Sequence, residues 1–307
     1  MEFIHIPVML NECIENLNIK PSGTYVDGTL GGGGHSNAIL KKLKNGRLIG
    51  FDKDKTAISV CEERFKSFQN KTLIHDDFKN FSKHLDKLKI DVVDGILLDL
   101  GVSSYQIDNS ERGFSYIQDA PLDMRMNEDQ TKDAWQIVNE YTESKLVEIF
   151  SKYGEEPFSK RIANAIVKSR KEKPINTTSE LVKIVDGVVP TIKGQGHKAK
   201  RVFQALRIEV NAELDKLYEC VVSMARRLKS GGRMCVLTFH SLEDRIVKDA
   251  FLMLASDCVC DKRLPICTCN HKKEVQLLTK KPILASSEEL KKNSRSHSAK
   301  LRVIEKL

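Results

Sequence analysis

Tyr25-Val26-Asp27-Gly28-Thr29-Leu30-Gly31-Gly32-Gly33-Gly34-His35 runs from an apolar strand directly into four consecutive residues that lack a Cβ. Glycine loses more conformational entropy on folding than any other residue, so four in a row at a strand-to-helix turn imply that a ligand approaches the backbone closely there. A second strand, Arg47-Leu48-Ile49-Gly50-Phe51-Asp52, ends in a carboxylate about 20 residues past the glycines, the spacing at which nucleotide-binding βαβ units hold ribose hydroxyls. The dinucleotide fingerprint G-x-G-x-x-G is unmet, because Gly31 and Gly33 are followed by Ser36, and Gly32 and Gly34 by Asn37. The G-K-[ST] ending of a phosphate-binding P-loop is also missing, with His35-Ser36 in its place. Asp27 would repel an anion. A positively charged adenosyl ligand with few or no phosphates, S-adenosylmethionine, therefore fits better than NAD or ATP.

Further along, Thr72-Leu73-Ile74-His75-Asp76-Asp77-Phe78 and Asp94-Gly95-Ile96-Leu97-Leu98-Asp99 read as third and fourth strands. The alternation of strand and helix from Pro7 to Tyr105 predicts an α/β fold, a doubly wound, mostly parallel sheet with helices on both faces. In such sheets ligands sit beyond the carboxyl ends of the strands, so Asp27, Asp52, Asp77 and Asp99 are expected around one crevice, unless some of them only cap the helices that follow.

The alternation breaks after Gln106, and residues 108–205 read as a helical insert between two parts of the sheet domain, 1–107 and 206–307. One insert helix carries Leu146, Ile149, Phe150 and Tyr153 on one face and stops at Gly154; another opens at the capping box Thr177-Thr178-Ser179-Glu180 and stops before Pro190. Cations gather at Lys160-Arg161, at Lys168, Arg170, Lys171 and Lys173, and around the glycine-containing loop Lys193-Gly194-Gln195-Gly196-His197-Lys198-Ala199-Lys200-Arg201. Charge runs are usually solvated faces, but a glycine-containing basic loop can wrap a phosphate backbone, which favours RNA or DNA as partner. Beyond the insert one long helix is expected, carrying Val210, Leu214, Leu217, Val221 and Leu228 and ended by Ser230-Gly231-Gly232. Strand Arg233–Phe239 and a closing strand near Ser298–Glu305 complete the sheet. His240-Ser241 at the strand end does not make a hydrolase, since there is no G-x-S-x-G elbow; His240 reads as a substrate-side or structural group.

The chain of 307 residues is 40% hydrophobic, with 50 basic and 42 acidic residues and a net charge of +8, which suits an anionic partner without demonstrating one. No apolar run reaches the length of a membrane span and the first residues do not read as a signal peptide, so a cytoplasmic protein is expected. Cys13, Cys61, Cys220 and Cys235 fall in predicted helix or strand and read as buried thiols. Cys258-Val259-Cys260 and Cys267-Thr268-Cys269 could converge from a hairpin to hold a structural zinc. Their spacing is one residue tighter than in common zinc ribbons, which leaves free thiols or an oxidisable pair as alternatives.

The strings His5–Met9, Val26–Ser36, Gly95–Ser104, Glu111–Ser115, Pro121–Met126, Tyr153–Glu156, Arg161–Ala163, Phe203–Ile208, Phe239–Lys248 and Arg295–Arg302, in this order, closely resemble the bacterial ribosomal RNA small subunit methyltransferase H family, also called MraW. The resemblance covers nearly the whole chain. It implies a class I (Rossmann-like) methyltransferase with a helical insert that recognises RNA. It also implies methylation of N4 of a P-site cytidine in 16S rRNA of the small ribosomal subunit, with S-adenosylmethionine as cofactor. By position, its cofactor contacts fall on Gly33, Gly34, His35, Asp52, Phe78, Asp99 and Gln106. Phe78 would stack on adenine and Gln106 would bond the amino acid end. Asp99 is the candidate catalytic acceptor for the target amine, with Ser103, Asp123 or His240 as alternatives. Two departures stand out: Gly32 replaces a larger, often basic residue, and Asp99-Leu100-Gly101-Val102-Ser103-Ser104 stands where many amino-directed methyltransferases carry an Asp-Pro-Pro-Tyr type motif.

Overall fold

The computed structural model describes residues 7–191, 196–261 and 266–307, which divide into two compact units, 1–101 with 214–307 and 102–213. In the first unit the strands are β1 (Thr24–Asp27), β2 (Arg47–Asp52), β3 (Lys71–His75), β4 (Val93–Asp99), β5 (Leu228–Thr238), β6 (Val275–Leu277), β7 (Ile283–Leu284) and β8 (Lys300–Lys306). They form one sheet in the order β3-β2-β1-β4-β5-β8-β6, with β7 also paired to β8. Neighbours from β3 to β5 run parallel, and β8 is antiparallel to β5, β6 and β7. This is the doubly wound, mostly parallel sheet expected from the alternating pattern.

The period of two along each strand builds a core on both faces. Val26, Ile49, Phe51, Ile96, Leu98, Met234, Val236 and Ile304 enter one cluster, covered by the helices Phe81–Lys87, Leu217–Arg226 and Ser241–Leu254. The intervening Tyr25, Leu48, Leu97, Cys235, Leu237, Leu301 and Val303 enter the other, covered by Leu10–Leu17, Gly34–Lys42 and Lys55–Arg64. Both faces are buried, which is why these strands read as near-continuous apolar runs rather than as polar-apolar alternation.

The strand ends are staggered. Asp27 is in register with Gly50 on one side and Leu97 on the other, so Asp52 and Asp99 each lie two residues beyond the end of β1. A notch opens between them where β1 stops, at the point where chain order in the sheet reverses direction.

The second unit carries the helices Ser104–Asp108, Ala134–Glu140, Glu143–Lys152, Ser159–Glu172, Thr178–Val188 and Lys200–Asn211 around its own core, which includes Leu146, Phe150, Ile162, Leu181, Phe203 and Leu206. The capping box at Thr177 is complete in both directions. The motif strings of this unit brace one another. Arg112, 6% exposed, donates to the carbonyls of Arg125 (2.7 Å) and Met126 (3.2 Å), Met124 N–H donates to Arg112 O (3.0 Å), and Asn211 bonds Met126 N–H and Met124 O.

Two sequence expectations are corrected. The long helix spanning Val210 to Leu228 is two helices, Lys200–Asn211 and Leu217–Arg226, separated where Ala212 (φ 49°) and Lys216 (φ 54°) adopt the left-handed conformation. Val210 accordingly packs in the second unit's core. Ser230-Gly231-Gly232 does not end a helix either. It lies within β5, where the register against β4 shifts between Val93 and Gly95, and Gly231 (φ 73°) supplies the positive φ.

Candidate active site

The glycine loop fills the notch by bonding alternately to the strands beside it. Gly28 N–H donates to Leu97 O (2.9 Å) and Leu30 N–H to Phe51 O (2.9 Å). Asp99 N–H donates to Thr29 Oγ1 (2.6 Å), and Gly31 N–H donates to Asp52 Oδ2 (2.7 Å). Asp52 Oδ1 accepts from Asp54 N–H (2.8 Å). Two of the glycines are required by shape. Gly33 has φ 73°, and a Cβ there would come 2.5 Å from the Phe65 ring; at Gly34 it would come 2.1 Å from Pro7.

The expected ring of four acids resolves into different roles. Asp27 is 1% exposed and turned inward: Ser36 Oγ donates to its Oδ2 (2.6 Å) and Thr29 N–H to its Oδ1 (3.1 Å), so it pins the loop to the helix Gly34–Lys42. Asp77 caps the short turn Phe78–Asn80 by accepting from Lys79 N–H (3.0 Å) and pairs with Lys53 (2.9 Å), the capping role allowed for in the sequence. Asp52 and Asp99 flank the notch. Burial pushes Asp52 up to about 6, against the opposing pull of the Asp54 and Gly31 amides. Burial, reinforced by the charges of Asp27 and Glu243, pushes Asp99 up to about 8. The Asp99 side chain is 26% exposed, yet its Oδ1 is buried without a hydrogen-bond partner among the described residues. A buried orphan acceptor on a carboxylate is costly, and its cost is relieved by a ligand that donates to it.

His35, at the start of the helix Gly34–Lys42, donates from Nε2 to Val8 O (3.1 Å) and turns Nδ1 toward Asp99 Oδ2 at 3.7 Å, too long for a hydrogen bond. Phe78 is 8% exposed and packs in the core cluster with Val26 and Leu98. Gln106 belongs to the second unit, where its Oε1 accepts from Ser103 N–H (3.0 Å) and its N–H donates to Ser103 Oγ (3.3 Å), closing a capping box.

Both other candidates for the amine acceptor outside Ser103 have structural work. Asp123 is held below the usual carboxylate range despite partial burial, because Arg125 grips it in a two-point bond (2.9 and 2.7 Å). His240 caps the helix Ser241–Leu254, with Nδ1 accepting from Glu243 N–H (3.4 Å). Glu243 went unnoticed in the sequence. It is 2% exposed, closes that capping box by accepting from Phe239 and His240 N–H, and adds to the negative field at Asp99. The x-x-E spacing after His240 was the available signal, hidden because histidine is not a usual cap.

Among the insert cations, Arg170 is structural, donating to the carbonyls of Val138 and Tyr141 (both 2.6 Å). Lys160, Arg161, Lys168, Lys171, Lys173, Lys200 and Arg201 are exposed. Lys193, Gly194 and Gln195 of the basic loop lie outside the described residues.

A doubly wound sheet with β8 reversed at its far side, a glycine loop without the dinucleotide or P-loop pattern and carboxylates at the ends of β2 and β4 define a methyltransferase of class I. Residues 2–307 match the model of the MraW methylase family, and the chain belongs to that family. Among its relatives are the proteins called Ribosomal RNA small subunit methyltransferase H from Clostridioides difficile (strain 630), 53% identical over 312 residues, and from Finegoldia magna (strain ATCC 29328 / DSM 20472 / WAL 2508), 50% identical over 311 residues. That of Clostridium botulinum (strain Loch Maree / Type A3) is 53% identical over 309 residues, and in all three comparisons both chains are covered in full. The class takes its methyl group from S-adenosylmethionine, the ligand that the glycine loop and Asp52 call for.

Proposed function

We propose that this methyltransferase acts on 16S rRNA in the small ribosomal subunit, moving the methyl group of S-adenosylmethionine to N4 of a P-site cytidine in the bacterial cytoplasm. The observation that carries the reading is the notch itself: a loop of bare backbone bracketed by Asp52 and by Asp99 with its orphan Oδ1. In this reading Asp52 accepts from the ribose hydroxyls, Gly33 and Gly34 give the donor access to backbone, and Phe78 forms the apolar floor beneath adenine. Asp99 and His35 line the side where charge resides, and the family resemblance gives Gln106 the amino acid end. The absence of membrane-length apolar helices among the described residues is compatible with a cytoplasmic site of action.

When bound, the donor would supply an electrophilic sulfonium methyl: the C–N4 bond would form as the C–S bond breaks, S-adenosylhomocysteine would leave, and the proton lost from N4 would pass to Asp99 or on to solvent. Cytosine N4 is a weak nucleophile because its lone pair is delocalised into the ring. The protein's contribution is alignment, plus an acceptor for an amine N–H as nitrogen becomes pyramidal. Asp99 is that acceptor. Burial holds its carboxyl up near 8, and a cationic donor alongside favours the ionised form that can accept. The exposed cations of the insert hold phosphates flanking the target base, which must leave its stack at a cost of about a few kcal/mol unless the RNA is already open.

Calorimetric titration tests the cofactor half of this reading. S-adenosylmethionine and S-adenosylhomocysteine should bind, NADH should not, and Asp52→Ala should weaken the adenosyl ligands at least tenfold in a folded protein. NADH binding, or an Asp52→Ala variant with unchanged affinity, would overturn it.

A further inference from the structure

Between the helix Ser241–Leu254 and β6 the chain runs through residues 255–274 without regular secondary structure among the described residues. Its two ends are stitched together by Glu274 N–H donating to Leu254 O (2.8 Å), and His271 Nε2 reaches Met253 O (3.0 Å). Among the described residues, apolar burial does not order the part in between: Val259 is 49% and Ile266 74% exposed. A connection of this length inside a compact unit needs another source of order.

The four thiols of this segment supply one. The sulfurs of Cys258, Cys260, Cys267 and Cys269 all lie within 4.8 Å of one another. Cys258 to Cys267 is 3.4 Å, Cys267 to Cys269 3.6 Å, Cys269 to Cys258 3.8 Å and Cys260 to Cys267 4.0 Å. A disulfide holds its sulfurs about 2.05 Å apart, so these are four separate thiols. Four thiolates at about 2.3 Å from a tetrahedral zinc stand roughly 3.8 Å from one another, the middle of the observed range. Backbone amides also converge on the sulfurs: Cys260 N–H on Cys258 Sγ and Thr268 N–H on Cys260 Sγ (both 3.4 Å), and Val259 and His271 N–H on Cys269 Sγ (both 3.5 Å). Amide donors to sulfur stabilise thiolate over thiol and orient its lone pairs, as the outer shell of a metal–thiolate centre does.

We infer that Cys258, Cys260, Cys267 and Cys269 bind one zinc ion as a closed, structural four-thiolate site that fixes the 255–274 connection. With all four positions taken by sulfur no coordination site is left for substrate, so the ion is a staple and not a catalyst. Lys272 and Lys273, exposed in the same segment, offset part of the net negative charge of four thiolates around a divalent ion.

The test is elemental analysis of the full chain purified under reducing conditions without chelator. About one zinc per chain is expected, falling below about a tenth in a Cys260→Ser, Cys267→Ser double variant whose S-adenosylmethionine affinity is unchanged. Cobalt exchanged into the native protein should give sulfur-to-metal charge-transfer bands and the intense visible bands of a tetrahedral site, a readout that does not depend on the variant folding. Metal-free protein with four freely titrating thiols, a disulfide among these cysteines, an iron–sulfur chromophore, or zinc retained by the double variant would each overturn the inference.

Discussion

Asp99 concentrates the physics of the site in one carboxyl group. Its folded value of about 8 lies above the ordinary 3.8, so the folded protein holds a proton that the unfolded chain releases, and its burial costs stability increasingly as pH rises through that window. Every tenfold difference in proton affinity between the folded and unfolded chains corresponds to about 1.4 kcal/mol. Asp99→Asn should therefore leave the donor-free protein no more stable than wild type near pH 4 and more stable by about a few kcal/mol near pH 8.5, as read by thermal melts at the two pH values, while methyl transfer falls by at least 100-fold. Equal stability differences at both pH values would deny the buried charge. The same logic governs ligand binding. Ionised Asp52 and Asp99 favour a cationic, hydroxyl-bearing donor, and protons compete for them, so affinity for S-adenosylmethionine should rise from pH 5 to pH 9 with uptake of ligand coupled to proton release. An affinity that is flat across that range would mean that neither carboxyl faces the donor. Asp52 was expected from its spacing to the glycines and Asp99 from the apolar run that it ends, and the structure places both at strand ends two residues beyond β1. Asp27 and Asp77 satisfied the same rule and yet serve the loop and a turn, because what their oxygens meet depends on atoms the strand pattern does not encode.

At the level of elements, the glycine loop is shaped by its neighbours more than by its own sequence. A Cβ at Gly33 would meet Phe65 and Cys61 and would sit at a positive φ, so Gly33→Ala should destabilise the first unit by about 1–3 kcal/mol and lower donor affinity, measured by denaturant unfolding and calorimetry. Wild-type stability in that variant would show the loop to be slack. In the insert the two kinds of cation separate cleanly. Arg170→Ala should lower stability by about 1–3 kcal/mol, having left two carbonyls without donors. Neutralising exposed Lys168, Lys171 and Lys200 to Gln should leave the melting temperature and donor binding alone, weaken rRNA binding and flatten its salt dependence. Unchanged rRNA affinity and salt slope would move the RNA contact elsewhere. Sequence periodicity located these helices well wherever a cap announced an end, as at Thr177. It failed at Ala212 and Lys216, where the chain turns through left-handed conformations without glycine and the apolar pattern continues unbroken across the break.

Over the whole molecule, the division of labour we propose is between a sheet that presents a donor site and an inserted helical unit rich in surface cations. The sheet was readable because both of its faces are buried and its strands are correspondingly apolar. The short β6 and β7, which pair with β8, were not, since three- and two-residue strands carry too little pattern to be seen. The braces Arg112 and Asn211 were equally invisible, because a buried polar side chain announces itself only through the carbonyls it meets. Substrate identity likewise is not written in any single residue and is reported only by the reaction. The central claim is therefore tested most directly by incubating the full chain with S-adenosylmethionine labelled in its methyl group and small ribosomal subunits from cells lacking the enzyme, then digesting the RNA and identifying the labelled nucleoside. The expected result is label in N4-methylcytidine from the P site of 16S rRNA; label in another nucleoside, or none in RNA from a protein that binds the donor, would contradict it.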